Sequence, residues 1–185
     1  MTQPATTLQL VYYVEREGLG RRRLAERTGW SEMTVRLELE RLRNEGLLEL
    51  PRAGPRLTPL GRRRFGLSLR RILDVRPLEL TSLRVDAACL GGRMREGETP
   101  NAWIARDAAV RAGASGLILL RYGKDGWAFG HDREPVDRKN RADADRLGAA
   151  FEGAEPSDIL LLSFGPTVET AGHGLWALLA DLLGT

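Results

Sequence analysis

The stretch LAERTGWSEMTVRLELERLRNEGLLEL, Leu24–Leu50, decides how the first part of the chain folds. A helical run reaches Gly29, which suits the sharp turn between two helices. Ser31 then has the position and side chain of an N-cap, and the next helix runs to Asn-Glu-Gly, where Gly46 fits the left-handed residue that ends it. The apolar run Leu47-Leu48-Glu49-Leu50 follows as a strand.

Working outward, Thr6 or Thr7 caps an earlier helix with Leu8, Val11, Tyr12 and Val14 on one side, ending near Gly18. The short helix after Gly20 begins with Arg21, Arg22 and Arg23. Downstream, PRAGP reads as a loop and RLTPL as a returning strand. Thr58-Pro59 then opens a basic helix, TPLGRRRFGLSLRRIL, with a cap and a first-turn proline. Three helices, a hairpin with an arginine-bearing loop and a closing helix are the order of a winged helix-turn-helix, expected over residues 1–76.

At about 100° per residue, Val35, Leu39 and Leu42 form the inward seam of the third helix. Met33, Leu37 and Glu40 lie opposite; Thr34 and Arg41 flank that ridge on one side, Arg36 and Arg43 on the other. Glu32 and Glu38 fall on the shoulders of the seam, so only Glu40 faces where a nucleic acid would lie. Residues 1–76 carry 16 Arg and no Lys against 9 acidic residues, a net charge of +7; residues 77–185 carry 12 basic against 16 acidic, a net charge of −4. A basic first part beside an acidic second part fits a nucleic-acid-binding module joined to something that does not bind nucleic acid. The expected contacts to double-stranded DNA are Ser31, Thr34, Arg36 and Arg41 on the third helix, Arg21, Arg22 and Arg23 at the start of the second, and Arg52 and Arg56 around the hairpin loop. Met33 or Leu37 would touch a thymine methyl.

Leu24–Leu50 resembles the core of bacterial and archaeal winged-helix transcriptional regulators: a leucine-alanine pair, a glycine turn, a serine cap, Thr34-Val35-Arg36, spaced leucines and a closing Gly-Leu-Leu. LTPLGRRRF, Leu57–Phe65, is similar to the strand-to-helix junction that closes such domains. The resemblance implies the fold and, less directly, DNA binding, because some winged helices serve only protein contact. Leu37 departs from the pattern, since many members are polar or basic there. An exposed Met33 and Leu37 would suit a protein-interaction scaffold, the alternative reading.

From Pro77 the arginine clusters thin. LELTSLRVDAACLGG, Leu78–Gly92, reads as an extended segment whose alternation slips once. Thr99–Gly113 reads as a helix with Trp103, Ile104, Ala108 and Val110 available for packing. Gly116–Tyr122 and Trp127–Gly130 are strands joined by a Gly-Lys-Asp-Gly hairpin turn. Val136–Glu152 is a polar helix, Asp158–Gly165 a buried strand, and Ala171–Leu183 an apolar closing helix. The order β-α-β-β-α-β-α implies an α+β fold with helices over one face of a largely antiparallel sheet, ferredoxin-like in arrangement. Such a domain serves effector sensing, dimerisation or both. The closing helix, with Leu175, Trp176, Leu178, Leu179, Leu182 and Leu183, is either buried in its own domain or half of a homodimer interface.

Arg106–Gly130, with its Arg-Asp start, alanine helix, Gly-Ala-x-Gly element, apolar strand and Lys-Asp-Gly turn, resembles an archaeal family of uncharacterised winged-helix regulator-like proteins with a C-terminal domain of unknown function. That resemblance implies a regulatory protein and names no ligand. Catalytic sets are not visible in the sequence. His131 and His173 have no neighbour at metal-ligand spacing, and GGRMREG and AGHG read as glycine turns that match no phosphate loop. Cys89, among small apolar residues, reads as a buried thiol and excludes an internal disulfide. No signal peptide opens the sequence, and the longest apolar runs fall short of the roughly 20 residues of a membrane span. The expectation is therefore a cytoplasmic, homodimeric, DNA-binding transcriptional regulator with a small-molecule effector, no cofactor, no metal and no enzymatic activity.

Overall fold

The computed structural model describes residues 4–95 and 100–184. The chain divides into two compact units, Met1–Arg70 with Leu183–Thr185, and Arg71–Leu182. In the first, helices α1 (Pro4–Glu17), α2 (Arg21–Thr28) and α3 (Glu32–Asn44) precede an antiparallel pair, β1 (Leu48–Glu49) with β2 (Arg56–Leu57), and then α4 (Pro59–Arg71). The local signals act as expected. Gly29 at φ 76° caps α2, the Ser31 side chain accepts from the Thr34 N–H, and Gly46 at φ 72° ends α3. Thr58 accepts from the Gly61 N–H at the start of α4. Helix α1 begins before Thr6, so neither threonine caps it; the Thr7 hydroxyl instead donates to Glu38. Val35, Leu39 and Leu42 are buried, as the helical wheel requires.

In the second unit, β3 (Ile72–Leu78), β4 (Ala88–Met94), α5 (Ala102–Arg111), β5 (Gly116–Gly123), β6 (Gly126–Phe129), α6 (Asp137–Ala150), β7 (Ile159–Gly165) and α7 (Val168–Leu183) follow in order. The sheet runs β3-β4-β7-β5-β6, and every neighbouring pair is antiparallel. The α+β class is as expected, but three details differ. First, the boundary lies at Arg70/Arg71 rather than 76/77, because Ile72 and Val75 are buried strand residues and not the end of a helix. Pro77 is tolerated there because β3 is an edge strand and loses no central ladder bond.

Second, β7 sits in the middle of the sheet, whereas a ferredoxin-like order puts the last strand at an edge. All seven of its residues are buried. Leu160, Leu162 and Phe164 pack with Leu147 and Phe151 of the α6 side. On the other face Gly92, Ser163 and Ala114 lie against α7, where a Cβ on Gly92 would come within 2.9 Å of Leu175 and one on Gly174 within 2.5 Å of Ala114. Ala105 and Ala109 bury the inner side of α5. Helices therefore cover both faces, not one.

Third, residues 79–87 form no strand, and the residues read as a glycine turn, Gly91 and Gly92, lie inside β4. The segment is folded back by Asp143 of α6, which is fully buried. Its carboxylate accepts from the N–H groups of Thr81, Ser82 and Leu83 at 2.8–3.1 Å, from both hydroxyls, and from Arg146 at 2.8 Å. Leu80 and Leu83 enter the core as a result, while Val85 stays exposed. The apparent alternation was a loop pinned at three amides.

Burial works against the Asp143 charge, but the Leu83 and Thr81 amides and the two hydroxyls outweigh it and hold the carboxyl well below the usual range. A depressed native pKa means its stabilisation is complete above the unfolded-state value near 4 and is lost as pH falls below it. Asp143→Asn should cost about 2–4 kcal/mol in urea unfolding at pH 7, and the gap from the parent chain should shrink on acidification toward about pH 3.

Candidate nucleic-acid interface

The outward face of α3 is organised by its cap. Ser31 Oγ lies 3.0 Å from the Thr34 nitrogen and 2.8 Å from Thr34 Oγ1, so the two hydroxyls expected to contact DNA hold each other at the exposed start of the helix. Met33 and Leu37 are 53% and 56% exposed, as the wheel places them. Arg36 sits 3.7 Å from Glu40, so the acid on the outward ridge is balanced by its own neighbour one turn back.

Arg41 does not face outward. Its guanidinium donates to both oxygens of Glu38 at 2.6 and 2.9 Å, to Thr7 Oγ1 at 3.0 Å, and to Glu45. Glu38 is buried, and a buried carboxylate without a cation would be costly. Hydrogen bonding to Glu38 raises the Arg41 pKa above its usual value, against burial, which lowers it. Arg41 is thus a clasp between α1 and α3. A helical wheel shows the angle at which a side chain leaves the axis but not the reach of a long arginine to a buried acid.

The remaining arginines divide in two. Arg22 pairs with Glu26 within α2, and Arg56 pairs with Glu49 across the two short strands at 2.7 Å. Arg21, Arg23 and Arg52 are exposed and have no ion pair among the described residues. Gly20 gives α2 no side-chain cap, so its first amides also face outward. A Cβ built on Gly54 would lie 3.9 Å from the Gly18 carbonyl oxygen, which seats the β1–β2 loop against the connection leading into α2. Gly54 at φ 117° and Gly18 at φ 61° permit that approach. The backbone of the loop that carries Arg52 therefore lies beside the connection that leads to Arg21. The sequence named these arginines but not the approach of Gly54 to Gly18, which brings together segments far apart in the chain. Exposed Arg43, which the wheel put on the flank of the outward ridge, and Arg63, which was not singled out from the sequence, have no ion pair among the described residues and add to the positive surface of this unit.

In the second unit the candidate sites are cavities. A cavity of about 370 Å³ beside the Asp143 loop is lined by Thr81, Arg84, Asp86, Cys89 and Arg146 among others. Burial first, and the Asp143 charge second, push the Cys89 thiol up to about 12, so it stays protonated, as expected of a core thiol. A second cavity, about 410 Å³, lies at the β5–β6 hairpin beside Arg121, Lys124 and Arg133. His131 contacts Asp132 at 3.1 Å, and among the described residues no group of three or more His, Cys, Asp or Glu side chains is placed to hold a metal ion. Among the described residues no helix is long and apolar enough to cross a membrane.

No family model matches the chain, and no curated protein matches it. It is similar to a solved structure, a hypothetical protein from Pyrococcus horikoshii OT3, with a TM-score of 0.79 and 16% identity over 98% of this chain and 93% of that one. At that identity the likeness is one of fold.

Arg41→Ala should lower unfolding stability by about 1–2 kcal/mol through the acid it leaves unpaired. The same variant should leave affinity for duplex DNA within about twofold of the parent in a fluorescence-anisotropy titration, because its charge is already spent on Glu38 and Glu45.

Proposed function

We propose that the chain is a DNA-binding transcriptional regulator whose first unit is a winged helix-turn-helix and whose second unit senses an effector, mediates dimerisation, or both. The observation that carries this reading is that Arg21 and Arg23 on α2, which has no side-chain cap, and Arg52 on the β1–β2 loop are exposed and free of ion pairs among the described residues. Cations with no internal partner keep their full charge for phosphate, and the amides of α2 add to the same field. In this reading α3 lies in the major groove, Ser31 and Thr34 contact the backbone near its start, and Arg36 leaves its exposed pairing with Glu40 for a base edge or a phosphate. Exchange of that partner costs little, since an exposed pair of this kind is worth well under about 1 kcal/mol. The cavities beside the Asp143 loop and at the β5–β6 hairpin have the size of small-molecule sites and are where an effector would bind.

Duplex binding should weaken steeply between about 50 and 200 mM salt, and Arg21→Ala and Arg23→Ala should each lower the slope of log K against log salt by about one. No binding to any duplex at low salt would remove this reading.

The exposure of Met33 and Leu37 supports a second reading, a winged-helix scaffold that holds a protein through that ridge. Leu37→Glu then abolishes capture of the partner while leaving the unfolding midpoint in place. An unchanged duplex affinity in the same variant would separate this reading from the first.

A further inference from the structure

A smaller cavity of the second unit, about 200 Å³, is formed where α5 lies on β5. Two close approaches build it. Ala105 and Ala109 are fully buried, and these small side chains let α5 come near the strand. The larger Trp103, Ile104 and Val110, which the sequence suggested would pack, are turned outward as a result. Beyond β6, the Gly130 N–H donates to the Leu119 carbonyl at 2.9 Å, and a Cβ there would lie 2.3 Å from the Leu119 side chain. Glycine therefore lets the chain come down on β5, and His131 follows it to the cavity. Trp103 and Arg106 line the cavity from α5, Leu117 and Leu119 from β5, and Phe129 and His131 from the end of β6 and just beyond.

Leu117 and Leu119 are buried and Phe129 is half-buried, while Trp103 is 65% exposed. The Phe129 and His131 rings are tilted at 58° with centroids 5.8 Å apart. Arg106, three residues after Trp103 and so its neighbour on the helix surface, is exposed and has no ion pair among the described residues. No acid is among the described residues that line the cavity. Asp132 is paired with His131 Nε2 at 3.1 Å, and on a wheel of about 100° per residue Asp107 falls on the side of Trp103 away from Arg106.

We propose that this cavity binds a small aromatic monocarboxylate, its ring on the apolar lining beside Trp103 and Phe129 and its carboxylate paired with Arg106. A guanidinium with no internal acid offers a planar fork that matches a carboxylate and repels a ligand cation. A single arginine in a mainly apolar lining balances one negative charge, and it would leave the hydroxyls of a sugar or the oxygens of a polyphosphate without partners. The Trp103, Phe129 and His131 rings favour a flat aromatic over a branched chain. A volume of about 200 Å³ lies below the roughly 300–1,000 Å³ of drug-sized sites and limits the ligand to one ring. The stretch Arg106–Gly130, singled out in the sequence without a ligand, supplies Arg106, both leucines and Phe129. The site goes beyond the proposed function: it shares Phe129 alone with the hairpin cavity assigned to an effector, and nothing in it requires duplex binding.

Phenylacetate is the probe, titrated into the full chain without DNA and followed by two-dimensional amide NMR. With about ten non-hydrogen atoms it should bind with a Kd on the order of 1 mM and shift the Trp103 indole N–H and the Gly130 and His131 amides. Phenylacetamide, which keeps the ring and loses the charge, should bind at least about 10-fold more weakly, and Arg106→Gln should remove that difference by weakening the acid alone. Trp103→Ala, at an exposed position, should raise the Kd about fivefold with the unfolding midpoint unchanged. No shift at these residues with about 20 mM phenylacetate, equal affinities for acid and amide, or an Arg106→Gln chain that still prefers the acid would each overturn the site. Cyclohexylacetate binding as tightly as phenylacetate would overturn the aromatic assignment. None of these outcomes bears on duplex binding, which has its own salt titration.

Discussion

A strand that is buried on both faces sets the terms for the second unit. Ile159–Gly165 is almost continuously apolar, and no antiparallel sheet can leave one side of such a strand in water without exposing two or three large side chains. It therefore takes the middle position, with strands on both sides and helices on both faces. The surrounding residues show how tightly this is done. Gly91 and Gly92 lie on opposite faces of β4, the first against Leu78 and Phe151, the second against Leu175, and a Cβ in either place would have to displace a leucine end. Once α6 and α7 occupy the faces over β4 and β7, α5 is left to cover β5 with a strip of alanine, and its opposite side cannot be buried within the unit.

Buried acids play the same part in each unit. Glu38 in the first and Asp143 in the second are nearly or wholly inaccessible, and each is met by an arginine one helical turn further along, Arg41 and Arg146. In both cases the carboxylate also takes hydrogen bonds from a segment distant in sequence, Thr7 in one and residues 81–83 in the other. Each acid thus joins a helix to a piece of chain that hydrophobic contact alone would hold with less directional precision.

The first unit was largely legible because its signals are local. Gly29, Ser31, Gly46 and Thr58-Pro59 terminate or cap helices through atoms within four residues of themselves, and the inward seam of α3 follows from its period. The second unit was legible only as a succession of elements. Strand order, the number of covered faces and the inward side of α5 depend on contacts across the whole unit, and Leu80–Val85 imitated a strand while being held by a carboxylate about sixty residues later. The candidate site shows the same division. The exposed Met33, Leu37 and Ser31 followed from spacing, whereas the diversion of Arg41 and the closure of the Gly54 loop on Gly18 required a partner from elsewhere in the chain.

Proline stands at both margins of the five-stranded sheet. Pro77 interrupts the donor row of β3, and Pro135 forms the lone bridge to Ala128 just outside β6, which is itself only four residues long. Each margin presents a broken row of amides to any incoming chain, so growth by strand addition is discouraged at both ends. The sheet is in this sense closed to its own kind, and the surfaces left for association between molecules are the outward sides of helices.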